Sequence, residues 1–336
     1  MNHITDRDRF VTGGVDTHAD AHVAAVYDTT TTGLFGTASF PANSAGYVAM
    51  HEWFQGHGRI DSIGVEGTGM YGAGLFGYLC SVDVDVDVDV IEVDRPDRQQ
   101  RQRDGKTDPL DAQAAALAVI GGRALNRPKV KAGPTEVIRV IEIVCYSAIK
   151  DRTRAINQFH SLVVTAPAGL REKLKGRTIA KQVQAASRFR GHGDVVTHHT
   201  CQALKTLAVR IRFLTAQIDE LEAEMNALAA EASPALLGTF GVGPHAAAQL
   251  LATVGQNPGR FENEAQFAKL CGVCPIPASS GKTRRHRLNR GGDRRANNAL
   301  HQIVLVRIRY DERTKTYLAR RKQEGLSHKE VVRCLK

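Results

Sequence analysis

The sequence predicts an α/β domain followed by two mainly helical parts, and three observations predict it. Short apolar strands broken by Gly, Asp and Thr turns fill the first hundred residues. Apolar residues recur at alternating steps of three and four from Leu204 to Leu228. Beyond Leu237, glycine-rich and arginine-rich segments interrupt helical stretches. The expected parts are residues 1–125, 126–232 and 233–336.

Residues 11–16, 21–28 and 34–41 read as three strands of a β-meander. A helix over 44–57, a strand over 61–65, a helix over 70–81, a strand over 84–94 and a helix from about Asp108 to Ile120 follow. The order βββαβαβα, antiparallel and then parallel, is that of a ribonuclease-H-like domain. Residues 83–90 alternate Asp and Val, which suits a half-buried strand; an edge strand, a low-complexity expansion and an extra acidic face are the alternatives, and no catalytic role is assigned to them.

Acidic residues fall at the ends of these elements. Asp16 ends the first strand, Glu66 ends the fourth, and Asp108 and Asp111 open the last helix three residues apart, so their carboxylates share a face. Taken singly, each is a turn or cap residue; Asp108 before Pro109 is a common helix start. Taken together, four converging carboxylates raise one another's pKa, and the cluster makes most sense around a hard divalent cation, Mg2+ or Mn2+. Two such ions can activate an attacking oxygen and stabilise a leaving oxygen in phosphodiester displacement.

Charge is distributed to match. The net charge is +10, yet residues 1–112 hold 8 Lys/Arg against 18 Asp/Glu and residues 282–336 hold 17 against 5. The acidic end suits metal ions and the basic end suits phosphates. Six scattered cysteines form no secreted disulfide framework, and no signal peptide or long apolar run is visible, so a reduced cytoplasmic location is expected, nucleoid-associated when active. Cys271 and Cys274 form a lone C-x-x-C without two further zinc ligands and read as packing residues.

In the middle part, Ile141, Val144, Ala148, Ile156, Phe159 and Val163 are candidate seam positions of one long helix. Leu204, Leu207, Ile211, Leu214, Ile218, Leu221, Met225 and Leu228 form the heptad seam of a second. The two are expected to pair as a coiled-coil hairpin, within one subunit or across a dimer. Between them, residues 171–190 carry seven Lys/Arg, Lys173 and Lys175 among them, at a tip that is either simply solvated or in contact with a phosphate backbone.

The last part opens on Gly241-Val242-Gly243-Pro244 ahead of a helix from His245 to Val254, a helix-hairpin-helix-like turn that offers backbone amides to a phosphate. Another helix from about Glu264 leads to Cys271–Lys282, where Pro and Gly hold Ser279 and Ser280 on a loop. Lys282, Arg284, Arg285, Arg287, Arg290, Arg294 and Arg295 are candidate nucleic-acid contacts, with His286 among them and Asp293 the one acid of the run.

Three acidic motifs, Gly14-Val15-Asp16-Thr17, Val65-Glu66-Gly67-Thr68-Gly69-Met70-Tyr71 and Lys106-Thr107-Asp108-Pro109-Leu110-Asp111-Ala112, together with the Gly-Val-Gly-Pro turn, Phe267 to Pro275 and Ser280-Gly281, carry a resemblance. The chain resembles the DEDD insertion-sequence transposases, the bridge-RNA-guided recombinase family that includes the Piv-type DNA invertases. The resemblance implies a RuvC-like domain whose metal-binding tetrad is Asp16, Glu66, Asp108 and Asp111, and a C-terminal transposase domain whose Ser280 attacks DNA and forms a phosphoserine link. It also implies donor and target DNA and a non-coding bridge RNA as partners, base pairing supplying sequence choice; the heptad seam and the need to hold two DNA sites together predict a homo-oligomer, a dimer or a tetramer on DNA. Ser279 is adjacent, and register alone does not separate the two serines. Two other readings compete: a Holliday-junction-type nuclease with the same metals and water as nucleophile, and a non-enzymatic nucleic-acid-binding protein whose acids only cap helices.

Overall fold

The computed structural model describes residues 9–82, 88–93, 107–281 and 286–336. Strands β1 (Phe10–Thr17), β2 (Ala21–Asp28), β3 (Leu34–Pro41), β4 (Arg59–Glu66) and β5 (Asp89–Val93) form one sheet in the order β3-β2-β1-β4-β5. β1–β2 and β2–β3 are antiparallel, whereas β1–β4 and β4–β5 are parallel. The meander thus builds one half of the sheet by tight turns, and each parallel strand is reached through a helical crossover. Residues 83–87, the body of the Asp-Val repeat, and Arg95 to Arg103 lie outside the described residues.

Alternation along the strands sorts the two faces. Val11, Val15, Ile63 and Val65 share a core with Met50 and Phe54 of α1 (Ser44–Gln55) and with Leu75, Phe76 and Leu79 of α2 (Ala73–Val82). The other face is covered by α3 (Asp108–Ile120), through Ala112 and Ala116 against Ala25 and Tyr27, and Ala115 against Ile91 and Val93. The buried apolar residues that α3 brings to this contact are all alanines, and the reason is distance. A Cβ on Gly14 would lie 2.2 Å from the Ala112 carbonyl oxygen, and one on Gly64 would lie 2.9 Å from that of Ala115.

The chain divides into two units: Met1–Lys131 with Gly255–Glu262, and Ala132–Val254 with Asn263–Lys336. The segment 255–262, which the sequence reading places in the C-terminal part, folds with the N-terminal unit. Asn257 holds it there by accepting from the Val130 amide and donating to the Pro128 carbonyl, both at 2.9 Å.

In the second unit, α4 (Gly133–Thr165) and α7 (Val195–Ala232) pair within one chain. Leu204, Ile211, Ile218 and Met225 are buried, and Leu207, Leu214, Leu221 and Leu228 flank them half-buried. On α4 the seam runs through Ile138, Ile141, Cys145 and Ala148, then Ala155, Phe159 and Val163. Val144 is a correction: it is 46% exposed and Cys145 holds the seam position. Val137, Val140, Ile143, Val144 and Cys145 make this turn apolar nearly all round, so composition leaves the phase of the seam open. Short helices α5 (Ala168–Leu174) and α6 (Ile179–Ala186) fill the connection, with Lys173 and Lys175 exposed.

After the single turn α8 (Pro234–Leu237), α9 (Pro244–Val254) adds Ala247, Ala248 and Ala252 to the lower core of the hairpin. Its Ala246 and Leu250 meet Cys271, Ala296, Ala299 and Ile303. Helices α10 (Glu264–Leu270), α11 (Arg294–Tyr310), α12 (Glu312–Gln323) and α13 (His328–Leu335) complete the unit. Among the described residues, no helix is long and apolar enough to cross a membrane.

Candidate active site

The site begins with the approach of α3 to the sheet. Gly14 pairs with Gly64 across β1 and β4, and both glycines lie under α3; Asp16 and Glu66, each two residues further on, therefore leave their strands on the same side. Thr17 fixes the two strand ends to each other, its hydroxyl donating to the Glu66 carbonyl at 2.8 Å. The chain then turns at Gly67, whose φ of +71° lies in the left-handed region.

Thr107, not Asp108, occupies the N-cap of α3 and makes no side-chain cap bond; Asp108 is the first helical residue and Pro109 follows. The Asp108 carboxylate is thereby released from capping and turns to the end of β1. One turn later, Asp111 is buried. The Asp16 carboxyl is buried as well, and its pKa is raised, first by burial and then by the charges of Asp111 and Asp108, against a lowering by His18.

His18 is the residue that sequence reasoning missed. Its Nε2 lies 3.1 Å from Asp16 Oδ2 and 3.5 Å from Asp108 Oδ1, and ligand atoms of the three side chains fall within 4.8 Å of one another. A signal was present: Asp16-Thr17-His18 at a strand end puts acid and imidazole on one side of the strand. The backbone amide of His18 donates to Nδ1 of the buried His22 at 3.3 Å, and the His22 ring stacks on Tyr47.

The donor set fits a divalent cation. Carboxylate oxygens dominate it, one carboxyl is held above its ordinary range by burial and by its neighbours, and a cation would relieve both effects. Asp16, Asp108 and His18 form the close group; Asp111 acts on Asp16 through its charge, and Glu66 stands beside it on the next strand.

Ser280 belongs to the second unit. The loop expected around it is the tip of a two-stranded ribbon, β6 (Ile276–Pro277) paired with β7 (His286–Arg287). Ser279 and Ser280 are exposed on this tip, before Gly281 with its φ of +55°. Lys282, Arg284 and Arg285 lie outside the described residues. Arg287, Arg290 and Arg294 are exposed. Arg295 is engaged elsewhere: it pairs at 3.3 Å with Glu142, which is 3% exposed, and its guanidinium carbon lies 4.9 Å from the Tyr146 ring centre. Asp293 caps α11 by accepting from the amides of Arg295 and Ala296.

Cys271 is buried among apolar side chains, which pushes its thiol up to about 12, and Cys274 accepts from Asn289 Nδ2 at 3.3 Å. The Gly-Val-Gly turn rests on α11: a Cβ on Gly241, whose φ is +86°, would lie 2.9 Å from Arg307 Cγ.

Residues 13–166 match the model of the IS110-type DEDD transposase domain, and residues 233–319 match that of the transposase IS116/IS110/IS902 family. The insertion element IS110 uncharacterized 43.6 kDa protein of Streptomyces coelicolor is 32% identical over 130 residues, 38% of this chain and 32% of that protein. The insertion element IS900 uncharacterized 42 kDa protein of Mycobacterium paratuberculosis is 32% identical over 101 residues, 30% of this chain and 25% of that protein. The matched stretches thus span about a third or less of these relatives. The DEDD match implies a ribonuclease-H-like fold, with which the mixed five-stranded sheet agrees. Two stretches of the chain thus each match a transposase-domain model, the acidic cluster lying within the first and Ser280 within the second.

Proposed function

We propose that this protein is the recombinase of an insertion sequence, cutting and rejoining DNA through a covalent phosphoserine intermediate. The observation that carries the reading is the convergence of Asp16, Asp108 and Asp111 at the carboxyl end of β1, beside Glu66 at the end of β4, within a matched DEDD transposase domain.

Asp16, Glu66, Asp108 and Asp111 would hold the cation, Mg2+ or Mn2+, which when bound would supply Lewis-acid polarisation of a phosphodiester and so lower the barrier to attack by a hydroxyl oxygen. Ser280 Oγ attacks phosphorus, the DNA oxygen leaves as a hydroxyl, and the phosphate ester is conserved on the protein until a second DNA hydroxyl displaces the serine. The exposed ribbon tip suits this role, since a nucleophile that must reach a duplex cannot lie in a core. Arg287, Arg290 and Arg294, with Lys282, Arg284 and Arg285, neutralise the transferring phosphoryl group and its DNA. Arg295 positions the start of α11 through Glu142.

Function is divided in this reading among a catalytic domain over 1–125, a hairpin with a basic tip over 126–232, and a serine-bearing part over 233–336, from which the segment 255–262 departs to fold with the first unit. Lys173 and Lys175 at the exposed tip contact nucleic acid. Sequence choice rests on a non-coding bridge RNA that pairs with donor and target DNA. The protein works in the cytoplasm, on the nucleoid, as a dimer or a tetramer on DNA. Trapping of the DNA–serine adduct tests the reading; cleavage without an adduct would favour the nuclease that uses water.

A further inference from the structure

The imidazole at the end of β1 has no place in an all-carboxylate tetrad, yet it sits inside the acidic cluster. From its position we infer that His18 is a direct nitrogen ligand of the metal ion and makes the site prefer Mn2+-like transition ions to Mg2+. The inference rests on the proposed reading of the cluster as a metal centre.

Geometry supports it first. Ligand atoms about 2.1 Å from an octahedral ion are separated by about 3 Å when adjacent. The distances from His18 Nε2 to Asp16 Oδ2 and Asp108 Oδ1, 3.1 and 3.5 Å, are of that size. The nitrogen that faces the carboxylates is Nε2, the atom an imidazole most often offers to a metal. The backbone of His18 is also held in place. Its amide is bound to His22 Nδ1, and the hydroxyl of the preceding Thr17 is bound to the Glu66 carbonyl. His22 is itself fully buried, so the anchor is fixed by packing.

The chemical consequence concerns ion choice. Carboxylates and water suit Mg2+, while an imidazole in the set raises affinity along the first-row series and does little for Mg2+. A nitrogen ligand also has a direct spectroscopic signature, hyperfine coupling of 14N to the electron spin of Mn2+, which an outer partner of Asp16 would not give.

The experiment uses the full chain with Mn2+ alone as probe, read by EPR titration and pulsed EPR, and compares it with His18→Gln and Asp16→Asn. The expected result is wild-type Mn2+ carrying the coupling of a coordinated nitrogen. In His18→Gln the coupling is lost and Mn2+ binding weakens by about tenfold or more, the lower end of what even an outer-shell partner costs. Competing Mg2+ should weaken by much less, and an unchanged melting curve of the metal-free variant excludes unfolding as the cause. Mn2+ binding that requires Asp16 but shows no nitrogen coupling would overturn the role of His18 and leave the metal centre standing. Absence of Mn2+ binding, or binding indifferent to Asp16→Asn, would overturn both.

Discussion

Gly14 on β1 and Ala112 on α3 lie so close that a Cβ added to the glycine would stand 2.2 Å from the Ala112 carbonyl oxygen. This approach sets the distance between the strand that carries Asp16 and the helix that carries Asp108 and Asp111. Gly14→Ala should therefore force α3 outward, at a cost of about 1–3 kcal/mol in stability, since the obstructing atoms are backbone and cannot rotate away. Metal affinity should fall with it although no ligand is changed. Chemical denaturation together with Mn2+ titration checks this; normal binding in the variant would separate the packing from the site.

Asp16→Asn should act in opposite directions without and with metal. The folded-state pKa of Asp16 is raised, so its contribution to stability is fully present below the unfolded value of 3.8 and is lost as pH rises through the folded pKa. At neutral pH the buried carboxylate destabilises the metal-free protein, and the amide should raise Tm there, with the gain shrinking below about pH 4. Wild-type protein at a hundredfold excess of metal over Kd should gain about 2.7 kcal/mol, a gain the variant lacks. Thermal melts at pH 4 and pH 7, each with and without Mn2+, measure all four terms. A metal-free variant less stable than wild type at pH 7 would contradict the argument.

Much of the first unit is legible in the sequence because its signals are local. Turn residues and alternation mark β1 to β3, and the spacing of Asp108 and Asp111 marks one helix face. What is not legible depends on partners distant in sequence. The excursion of residues 255–262 rests on Asn257, an ordinary turn residue until it meets Pro128 and Val130. Arg295 reads as one more cation of a basic run, and only the fold brings Glu142, 153 residues away, to meet it. The ribbon that displays Ser280 has two residues per strand, too few for any period to show. His18 was legible in principle, yet a lone histidine at a strand end gives no sign of an acid arriving from a helix far along the chain.

Nucleic-acid affinity should divide the arginines. Replacing Arg287, Arg290 and Arg294 by Ala should flatten the salt dependence of DNA binding by about one unit for each phosphate contact removed, with little change in folding. Arg295→Ala should leave the slope nearly intact and lower stability by about 1–3 kcal/mol through unpaired Glu142, towards the low end because the arginine is partly exposed. Filter binding across a salt series, with denaturation of each variant, separates the two groups. A flattened slope in Arg295→Ala would return that residue to the phosphate contacts.

The hairpin seam is satisfied within one chain, so a charge in it should attack folding. Ile218 is 1% exposed between α4 and α7, and Ile218→Asp should cost about 3 kcal/mol or more. Light scattering and melting of the same sample decide the matter. A smaller particle with an unchanged Tm would show that the seam joins subunits.

The central claim is the covalent step, and the most direct measurement traps it. A DNA substrate that permits cleavage but blocks rejoining should, with RNA and Mg2+ present, accumulate a protein–DNA adduct that survives denaturing gel electrophoresis. Peptide mapping should place it on the peptide containing Ser279 and Ser280. Ser280→Ala should abolish the adduct while metal and RNA binding persist, and Ser279→Ala should retain it. An adduct lost in Ser279→Ala and kept in Ser280→Ala would move the nucleophile by one residue, whereas cleaved DNA with no adduct in the wild-type protein would contradict the serine mechanism.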